Sequence, residues 1–359
     1  MTIADVSFAV EGAVGVVTLD RPKALNALTQ PMCVAIDRAL AAWARDDAVA
    51  AVLVRSSTER AFCAGGDVRA VYDDGIAWKR GETPGHLVRD FFRDEYRMNR
   101  RIKVFPKPYI AMIDGITMGG GVGLSVHGSH RVATDRTMLA MPETGIGLFP
   151  DVGASYVLPR LPGEIGLFLA LTGTRIKSPD LIDLGIATHA VAGERIAQVT
   201  AELIDAIRPG DPKAAIDRVL GRHAASAGEP DLAARRPLID RCFAHDDIDR
   251  ILAALDGEAD AFAATIAATI RTMSPTSVKL TLAEMRRGRS QDFDECMRME
   301  YRMTQAVLAG HDFYEGIRAQ LVDKDRSPRW APASLDAVDD DTIASCFLAP
   351  AHGDLTFPD

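Results

Sequence analysis

The N-terminal half of the chain alternates short apolar runs with amphipathic stretches. Two β-branched runs, Val6 to Val10 and Gly15 to Leu19, are separated by Glu11-Gly12, which predicts a β-hairpin. Apolar residues then recur at helical spacing from Met32 to Trp43, and a buried strand is predicted at Ala50 to Arg55. Because strands and helices continue to alternate as far as about residue 190, the pattern predicts an α/β fold.

The pattern changes beyond about Val191. Apolar residues recur at helical spacing in successive segments as far as Val322, and strand-like runs stop. The last stretch, Ser327 to Asp359, is rich in proline and aspartate, which is typical of a segment that either wraps the surface or is disordered. We therefore predict an α/β core over residues 1–190, an all-helical region over residues 191–326 and an extended tail over residues 327–359.

Composition narrows the classes of function. The 359 residues carry a formal net charge of −9, which argues against nucleic acid or an anionic membrane as the main partner. The five cysteines are odd in number and form no CxxC pair, and the histidines lack metal-ligand spacing, so neither a disulfide framework nor a metal site is expected. No apolar run approaches 18 residues. The N-terminal residues show no leader pattern, and we predict a cytoplasmic protein.

Candidate chemistry is concentrated between Pro108 and Gly153. A glycine-rich turn, Gly119 to Gly123, opens an apolar run there, and it matches neither a phosphate loop nor a dinucleotide-binding fingerprint. Glycines of this kind can bring backbone N–H groups to a developing oxygen anion, and each such donor is worth roughly 3–4 kcal/mol. Close packing of a helix on a strand is an equally common reason for such glycines.

Three carboxylates are candidates for acid–base chemistry. Glu143 follows Pro142 among apolar residues, which would raise its pKa toward the value that suits a general base. Asp151 is either a second carboxylate of the same site or the N-cap of the next turn. Glu95 lies on the apolar stripe of a helix predicted from His86 to Ile102, where it either faces a ligand or pairs with an arginine such as Arg93 or Arg97. The preceding stretch, residues 72–85, is predicted to be a surface excursion.

A catalytic serine is not expected. Ser125, His127, His130 and Asp135 have the residue types of a triad, but Ser125 lies between Leu124 and Val126 and lacks the GxSxG nucleophile elbow.

Several segments together resemble the crotonase, or enoyl-CoA hydratase/isomerase, superfamily, and within it the 3-hydroxyisobutyryl-CoA hydrolases. The resemblance extends from about Val10 to Trp330. It implies a spiral of repeated strand–strand–helix units followed by a helical C-terminal region. The segments that carry it are LDRP at 19–22, NAL at 26–28, FCAGGD at 62–67, FRDEY at 92–96, GITMGGGVGLS at 115–125, MPET at 141–144, GLFPDVG at 147–153, SPTS at 274–277 and GHDF at 310–313.

The resemblance also implies roles for individual residues. Backbone N–H groups at Gly66 and Gly120 match the oxyanion hole that holds the thioester carbonyl, and Asp67 matches a structural position. The positions that match the path of coenzyme A are Ala24 and Ala64. The positions that match substrate contacts in the hydrolases are Glu95, Gly120, Glu143 and Asp151.

One departure from the hydratase pattern separates the reaction classes. Hydratases place a glutamate three residues after the second glycine of the turn, where this chain has Gly123. The resemblance therefore favours hydrolysis of an acyl-CoA thioester, with Glu143 as base or nucleophile and Asp151 positioning water or a substrate hydroxyl. An enoyl-CoA hydratase or isomerase and a non-catalytic acyl-CoA binding protein stay open as alternatives. Coenzyme A as part of the substrate is the expected ligand, no separate cofactor is expected, and a homo-oligomer, trimer or dimer, is expected.

Overall fold

The computed structural model describes residues 2–3 and 5–357. It has two sheets followed by a helical C-terminal region, which confirms the predicted fold class. The predicted hairpin is also confirmed, with Gly12 at a positive φ of 61° in its turn. The described strands are β1 (Thr2–Ile3), β2 (Val6–Glu11), β3 (Val14–Leu19), β4 (Ala51–Ser56), β5 (Ala61–Cys63), β6 (Tyr109–Ile113), β7 (Ile116–Met118), β8 (His130–Thr134), β9 (Met138–Ala140), β10 (Ile176–Lys177) and β11 (His189–Val191).

The larger sheet has seven strands in the order β1-β2-β3-β4-β6-β8-β11. The strands from β1 to β3 pair antiparallel, and every later neighbour pairs parallel. The smaller sheet has the order β10-β9-β7-β5, in which β5, β7 and β9 are parallel. Strand β6 is buried along its whole length, as expected for an inner strand of a parallel sheet covered on both faces.

The helices connect the strands and then make up most of the chain after β11. Among the described residues, none of them is long and apolar enough to cross a bilayer. They are α1 (Gln30–Ala44), α2 (Val68–Lys79), α3 (His86–Lys103), α4 (Gly120–Ser125), α5 (Ala154–Val157), α6 (Ile165–Thr172), α7 (Ser178–Asp183), α8 (Ile196–Ala206), α9 (Pro212–Arg222), α10 (Arg236–Cys242), α11 (Ile248–Asp256), α12 (Ala261–Thr272), α13 (Pro275–Gly288), α14 (Phe293–Ala309), α15 (Asp312–Ile317) and α16 (Asp340–Ser345).

The chain forms two compact units, each assembled from separated segments. The first unit contains the residues up to Gly66, Arg97–Ala140 and Arg175–Ala233, and it holds both sheets. The second contains Asp67–Tyr96, Met141–Thr174 and the described residues from Ala234 onward, and it is helical. This partition is interleaved along the sequence, whereas the predicted one is linear. The predicted boundaries at residues 190 and 326 stay a prediction.

The core of the first unit lies between the seven-stranded sheet and two helices. Burial of these aliphatic side chains removes apolar surface from water and is the main stabilising term of such a layer. Its fully buried members from the strands include Val14, Leu53, Ile110 and Val132, and those from α8 and α9 include Val199, Leu203, Ile216 and Leu220.

In the second unit, the predicted surface excursion over residues 72–85 begins as a helix, and most of its residues are exposed or half-buried. Helix α2 runs to Lys79, and the Asp67 side chain caps it by accepting a hydrogen bond from the Ala70 N–H at 3.1 Å. Gly75 lowers helix propensity, but a Cβ there would lie 2.5 Å from the Tyr314 ring. The glycine is thus required by packing, a reason that the local sequence does not reveal.

The C-terminal tail, predicted to wrap the surface or be disordered, is anchored in the second unit. The Trp330 indole N–H donates to the Thr272 carbonyl at 3.0 Å, and Arg302 pairs with Asp354. Ile343 on α16 and Leu355 are buried. These contacts favour the wrapping alternative for residues 327–357; residues 358 and 359 lie outside the described part of the chain.

Candidate active site

The predicted oxyanion-hole residues of the first unit lie in two glycine turns that approach each other. Gly65 has φ of +115°, and a Cβ on it would lie 3.9 Å from the Gly120 nitrogen and 3.6 Å from the Met118 oxygen. Gly66 is therefore held next to the turn that carries Gly120. The structure brings together the two residues to which the resemblance assigned the oxyanion hole.

The second of these turns excludes side chains. Gly119 has φ of +47° and precedes α4, so the Gly120 N–H belongs to the first helical turn, whose N–H groups have no partner within the helix. A Cβ on Gly121 would lie 2.2 Å from the Cys63 carbonyl oxygen. Close backbone approach thus accounts for Gly121, whereas the role of the Gly120 N–H as an oxyanion donor stays a prediction.

Sequence reasoning missed Asn26, which ties the first turn in place. Its side chain is fully buried, donates to the Ser56 hydroxyl and to the carbonyls of Ala61 and Phe62, and accepts from the Arg21 N–H at 2.8 Å. It has φ of +57°, a left-handed conformation that asparagine tolerates better than most residues. An asparagine in a loop between two predicted elements was the available signal.

The two alanines that match the coenzyme A path are also neighbours. Ala24 ends a short 3-10 turn, Pro22–Ala24, and the Ala64 N–H donates to the carbonyl of Leu25 at 3.0 Å. Both alanines are partly exposed.

The predicted carboxylates all belong to the second unit and are buried. Glu95 lies on α3, Glu143 begins the 3-10 turn Glu143–Ile146, and Asp151 lies in the loop before α5; their exposed fractions are 2%, 5% and 4%. Burial raises the pKa of all three groups, and the charge of Asp151 raises the pKa of Glu95 and of Glu143 further. The three therefore form one electrostatically coupled group.

Glu143 has the features expected of a base. Its pKa lies well above the ordinary value, first because it is desolvated and then because Asp151 and Glu95 are nearby acids. Its Oε2 atom has no hydrogen-bond partner among the described residues. A carboxylate with one oxygen unengaged and a raised proton affinity is suited to accept a proton from water.

The Asp151 side chain does not act as the N-cap of the next helix. Helix α5 begins after Gly153 and has no side-chain cap, whereas the Asp151 carboxylate accepts a hydrogen bond from the Tyr96 hydroxyl at 2.7 Å. Burial raises the pKa of Asp151 to about 7, and the Tyr96 bond opposes that rise. Asp151 therefore changes charge near neutral pH.

Glu95 does not pair with Arg93. Arg93 instead contacts Asp90 at 2.9 Å and Asp94 at 3.5 Å. The Oε1 atom of Glu95 has no hydrogen-bond partner within residues 5–357. This favours the ligand-facing interpretation of Glu95.

Sequence reasoning missed two further buried carboxyls, Glu284 on α13 and Glu300 on α14. Both are fully buried, and burial raises the pKa of Glu300 to about 8 and that of Glu284 well above its ordinary value. The charges of Glu300, Asp151 and Glu143 add to the rise at Glu284. A signal existed, because each glutamate lies on the apolar stripe of its helix, as Glu95 does on α3.

Comparison with known proteins identifies the family. A model of the enoyl-CoA hydratase/isomerase family matches residues 14–347. The chain belongs to the enoyl-CoA hydratase/isomerase family. A relative from Danio rerio named "3-hydroxyisobutyryl-CoA hydrolase, mitochondrial" is 46% identical, over 98% of this chain and 91% of its own.

Two solved structures of this enoyl-CoA hydratase/isomerase family share the fold along nearly the whole chain. A protein named carnitinyl-CoA dehydratase from Mycobacterium thermoresistibile has a TM-score of 0.91 at 43% identity, covering 99% of both chains. A protein named enoyl-CoA hydratase from Rhodobacter sphaeroides has a TM-score of 0.89 at 38% identity, covering 99% of this chain and 100% of its own. These matches confirm the predicted crotonase-like fold.

The predicted cytoplasmic location is wrong for this family member. The 46% identical Danio rerio relative is named as mitochondrial, and so is a Homo sapiens relative with 43% identity over 97% of this chain and 89% of its own. The roles given to Gly66, Gly120, Glu95, Glu143 and Asp151, like the contacts of Ala24 and Ala64 with coenzyme A, stay predictions.

Proposed function

We propose that this chain hydrolyses the thioester of 3-hydroxyisobutyryl-CoA, giving 3-hydroxyisobutyrate and coenzyme A. The observation that carries the proposal is the buried Glu143 carboxyl, with a raised pKa and an oxygen that has no partner among the described residues. The names of the curated relatives support the substrate. Membership of the enoyl-CoA hydratase/isomerase family supports acyl-CoA as the general substrate class.

Each step of the reaction has a residue suited to it. The N–H groups of Gly66 and Gly120 stabilise the oxygen anion that forms as the thioester carbonyl is attacked. Glu143 takes a proton from water, whose oxygen forms the new bond to the carbonyl carbon; the C–S bond then breaks, and the proton passes to the sulfur of coenzyme A. Asp151 positions water or the 3-hydroxyl group, and Glu95 offers a further acceptor for that hydroxyl.

A covalent route uses the same residues. The Glu143 carboxylate attacks the carbonyl carbon, and the C–S bond breaks so that coenzyme A leaves as the thiolate. Water then cleaves the resulting anhydride, and a proton of that water passes to the thiolate sulfur. A single turnover in ¹⁸O-labelled water separates the routes, since cleavage at the carboxyl carbon of Glu143 leaves the label in that side chain. Unlabelled Glu143 after such a turnover would favour the general-base route.

The decisive test is release of free thiol from a panel of acyl-CoA esters. Wild-type protein should release thiol fastest from 3-hydroxyisobutyryl-CoA. Glu143→Gln keeps the shape of the side chain but cannot accept the proton, so its kcat should be about 10³-fold lower. Protein that binds the ester and releases no thiol would instead support the acyl-CoA binding alternative.

A hydratase is the second candidate, because the two solved structures are named as a dehydratase and a hydratase. Water addition needs an acid and a base, and the position of the first hydratase glutamate is Gly123 in this chain. We therefore expect crotonyl-CoA to be hydrated much more slowly than 3-hydroxyisobutyryl-CoA is hydrolysed. Comparable rates would replace the hydrolase proposal.

A trimer or dimer, and the lack of a separate cofactor, remain part of the proposal.

A further inference from the structure

The loop that carries Asp151 has an unusual backbone. Val152 has φ of +56° and Gly153 has φ of +89°, so two successive residues are left-handed. For a β-branched residue such as Val152 this conformation is rare and unfavourable. Such a conformation persists where surrounding contacts determine it, and such residues cluster at functional sites.

Glu300 supplies those contacts from helix α14. Its Oε2 atom accepts a hydrogen bond from the Gly153 N–H at 2.8 Å, and its Oε1 atom accepts from the Ser155 N–H at 3.1 Å and from the Ser155 hydroxyl. Both carboxyl oxygens are thus used, one on Gly153, the second residue of the left-handed pair, and one on Ser155, two residues further on. Glu300 is fully buried, so these bonds are shielded from water.

Packing leaves the loop little freedom on its other side. A Cβ on Gly288 of α13 would lie 2.0 Å from the Ser155 carbonyl oxygen, so the helix backbone touches the loop. The Asp151 side chain is held separately by the Tyr96 hydroxyl. Glu300 therefore fixes the backbone that follows Asp151, and Tyr96 fixes one oxygen of the Asp151 carboxyl.

We propose that Glu300 is a positioning residue, which holds the 151–155 loop in its left-handed conformation and thereby aims the Asp151 carboxyl. Glu300 acts through Asp151 and makes no contact with substrate. This inference rests on the proposed function only in that Asp151 serves the acyl-CoA site. It assigns a role to a residue that lies 149 positions after Asp151 in the sequence.

The test is a double-mutant cycle on kcat/KM for thiol release. Glu300→Gln places an amide NH₂ against at least one N–H donor, so the loop loses a bond; we expect kcat/KM to fall about 10- to 100-fold. In an Asp151→Asn background the same substitution should lower kcat/KM less than about twofold, because the carboxylate through which Glu300 acts is already absent. Equal losses in both backgrounds would show a merely structural role and overturn the proposal.

Two further variants keep the test informative if Glu300→Gln folds poorly. Ser155→Ala removes one of the three donors and should lower kcat/KM about two- to fivefold, again only when Asp151 is present. Asp180→Asn is the matched control: Asp180 is a buried acid in the first unit that accepts a bond from the Leu232 N–H at 2.8 Å. It should cost stability without changing kcat/KM. Full additivity of Ser155→Ala with Asp151→Asn would overturn the proposal.

The same cycle measured on the Kd of a non-hydrolysable 3-hydroxyacyl-CoA thioether separates two failures. Wild-type protein that releases no thiol overturns the proposed function, while non-additive effects of Glu300→Gln and Asp151→Asn on Kd still support the positioning role. Additive effects on Kd and on kcat/KM, in a wild type that does release thiol, overturn the positioning role alone.

Discussion

The predicted site residues of the first unit and those of the second unit present different chemical groups. In the first unit the site is backbone: glycine turns present N–H groups, and a Cβ on Gly121 would lie 2.2 Å from the Cys63 oxygen. In the second unit the site is side chains: Glu95, Glu143 and Asp151 are buried carboxyls with raised pKa values. The first set should thus be sensitive to added atoms and the second to charge and pH.

The largest effect that would test this comparison is expected from Gly121→Ala. The new methyl group meets a backbone carbonyl that cannot move aside, so the turn carrying Gly120 must shift. We expect the free energy of unfolding to fall by about 1–3 kcal/mol and kcat to fall about 100-fold through a misplaced oxyanion donor. Urea denaturation and thiol-release kinetics measure the two losses.

Gly221 on α9 provides the matched control, since a Cβ there meets no atom within 4 Å. Gly221→Ala should leave kcat unchanged and leave stability unchanged or raised by up to about 1 kcal/mol. Wild-type kcat in Gly121→Ala would contradict the view that the first unit's site is defined by exclusion of side chains.

The charge sensitivity of the second set predicts a dependence of stability on pH. The pKa of Asp151 is about 7 in the folded protein, against an ordinary value of 3.8. Between these values the unfolded chain loses the proton while the folded protein keeps it, so stability falls as pH rises from about 4 to about 7, at up to about 1.4 kcal/mol per pH unit. Asp151→Asn removes this contribution. Its free energy of unfolding, measured in urea at pH 5, 6 and 7, should fall less steeply than that of the wild type.

Asp256→Asn is the control for that slope. Its exposed partner Arg271 lowers the pKa of Asp256, so Asp256 is ionised in both the folded and the unfolded state above pH 5. The variant should keep the wild-type slope between pH 5 and 7. A slope unchanged by Asp151→Asn as well would mean that Asp151 is already ionised at pH 5 in the folded protein.

Local signals predicted the carboxylates of the second set, whereas the roles of Gly66 and Gly120 were implied by the family resemblance. Helical periodicity placed Glu95 on an apolar stripe, and the apolar neighbours of Glu143 indicated a raised pKa. The same periodicity applies to Glu284 and Glu300, so their burial was predictable. What Glu300 contacts was not, because its bond to Gly153 joins residues 147 positions apart and depends on how α14 packs.

Tertiary packing also explains where these local signals were insufficient. Gly75 suggested a break in a polar stretch, but it lies inside α2 because the Tyr314 ring occupies the space of its side chain. For Asp151 the sequence left a site carboxylate and a helix cap both open; the cap does not form, and Tyr96 engages the carboxylate instead. In both cases a distant aromatic residue overrides the local preference, and a single sequence carries no record of that contact.

The smallest effect is expected from Tyr96→Phe, which removes the hydroxyl that donates to Asp151 at 2.7 Å. That bond lowers the pKa of Asp151 against the effect of burial, so its loss should raise the pKa above about 7, by up to about one unit. Titration of ¹³C-labelled aspartate carboxyls, with Asp151→Asn for assignment, measures the shift. Tyr109→Phe is the matched control, because Tyr109 is equally buried but donates to the Leu124 carbonyl in the first unit. An Asp151 titration midpoint that stays the same or falls in Tyr96→Phe would show that the hydroxyl does not stabilise ionised Asp151. The position of the carboxyl would then be set only by the loop that Glu300 holds.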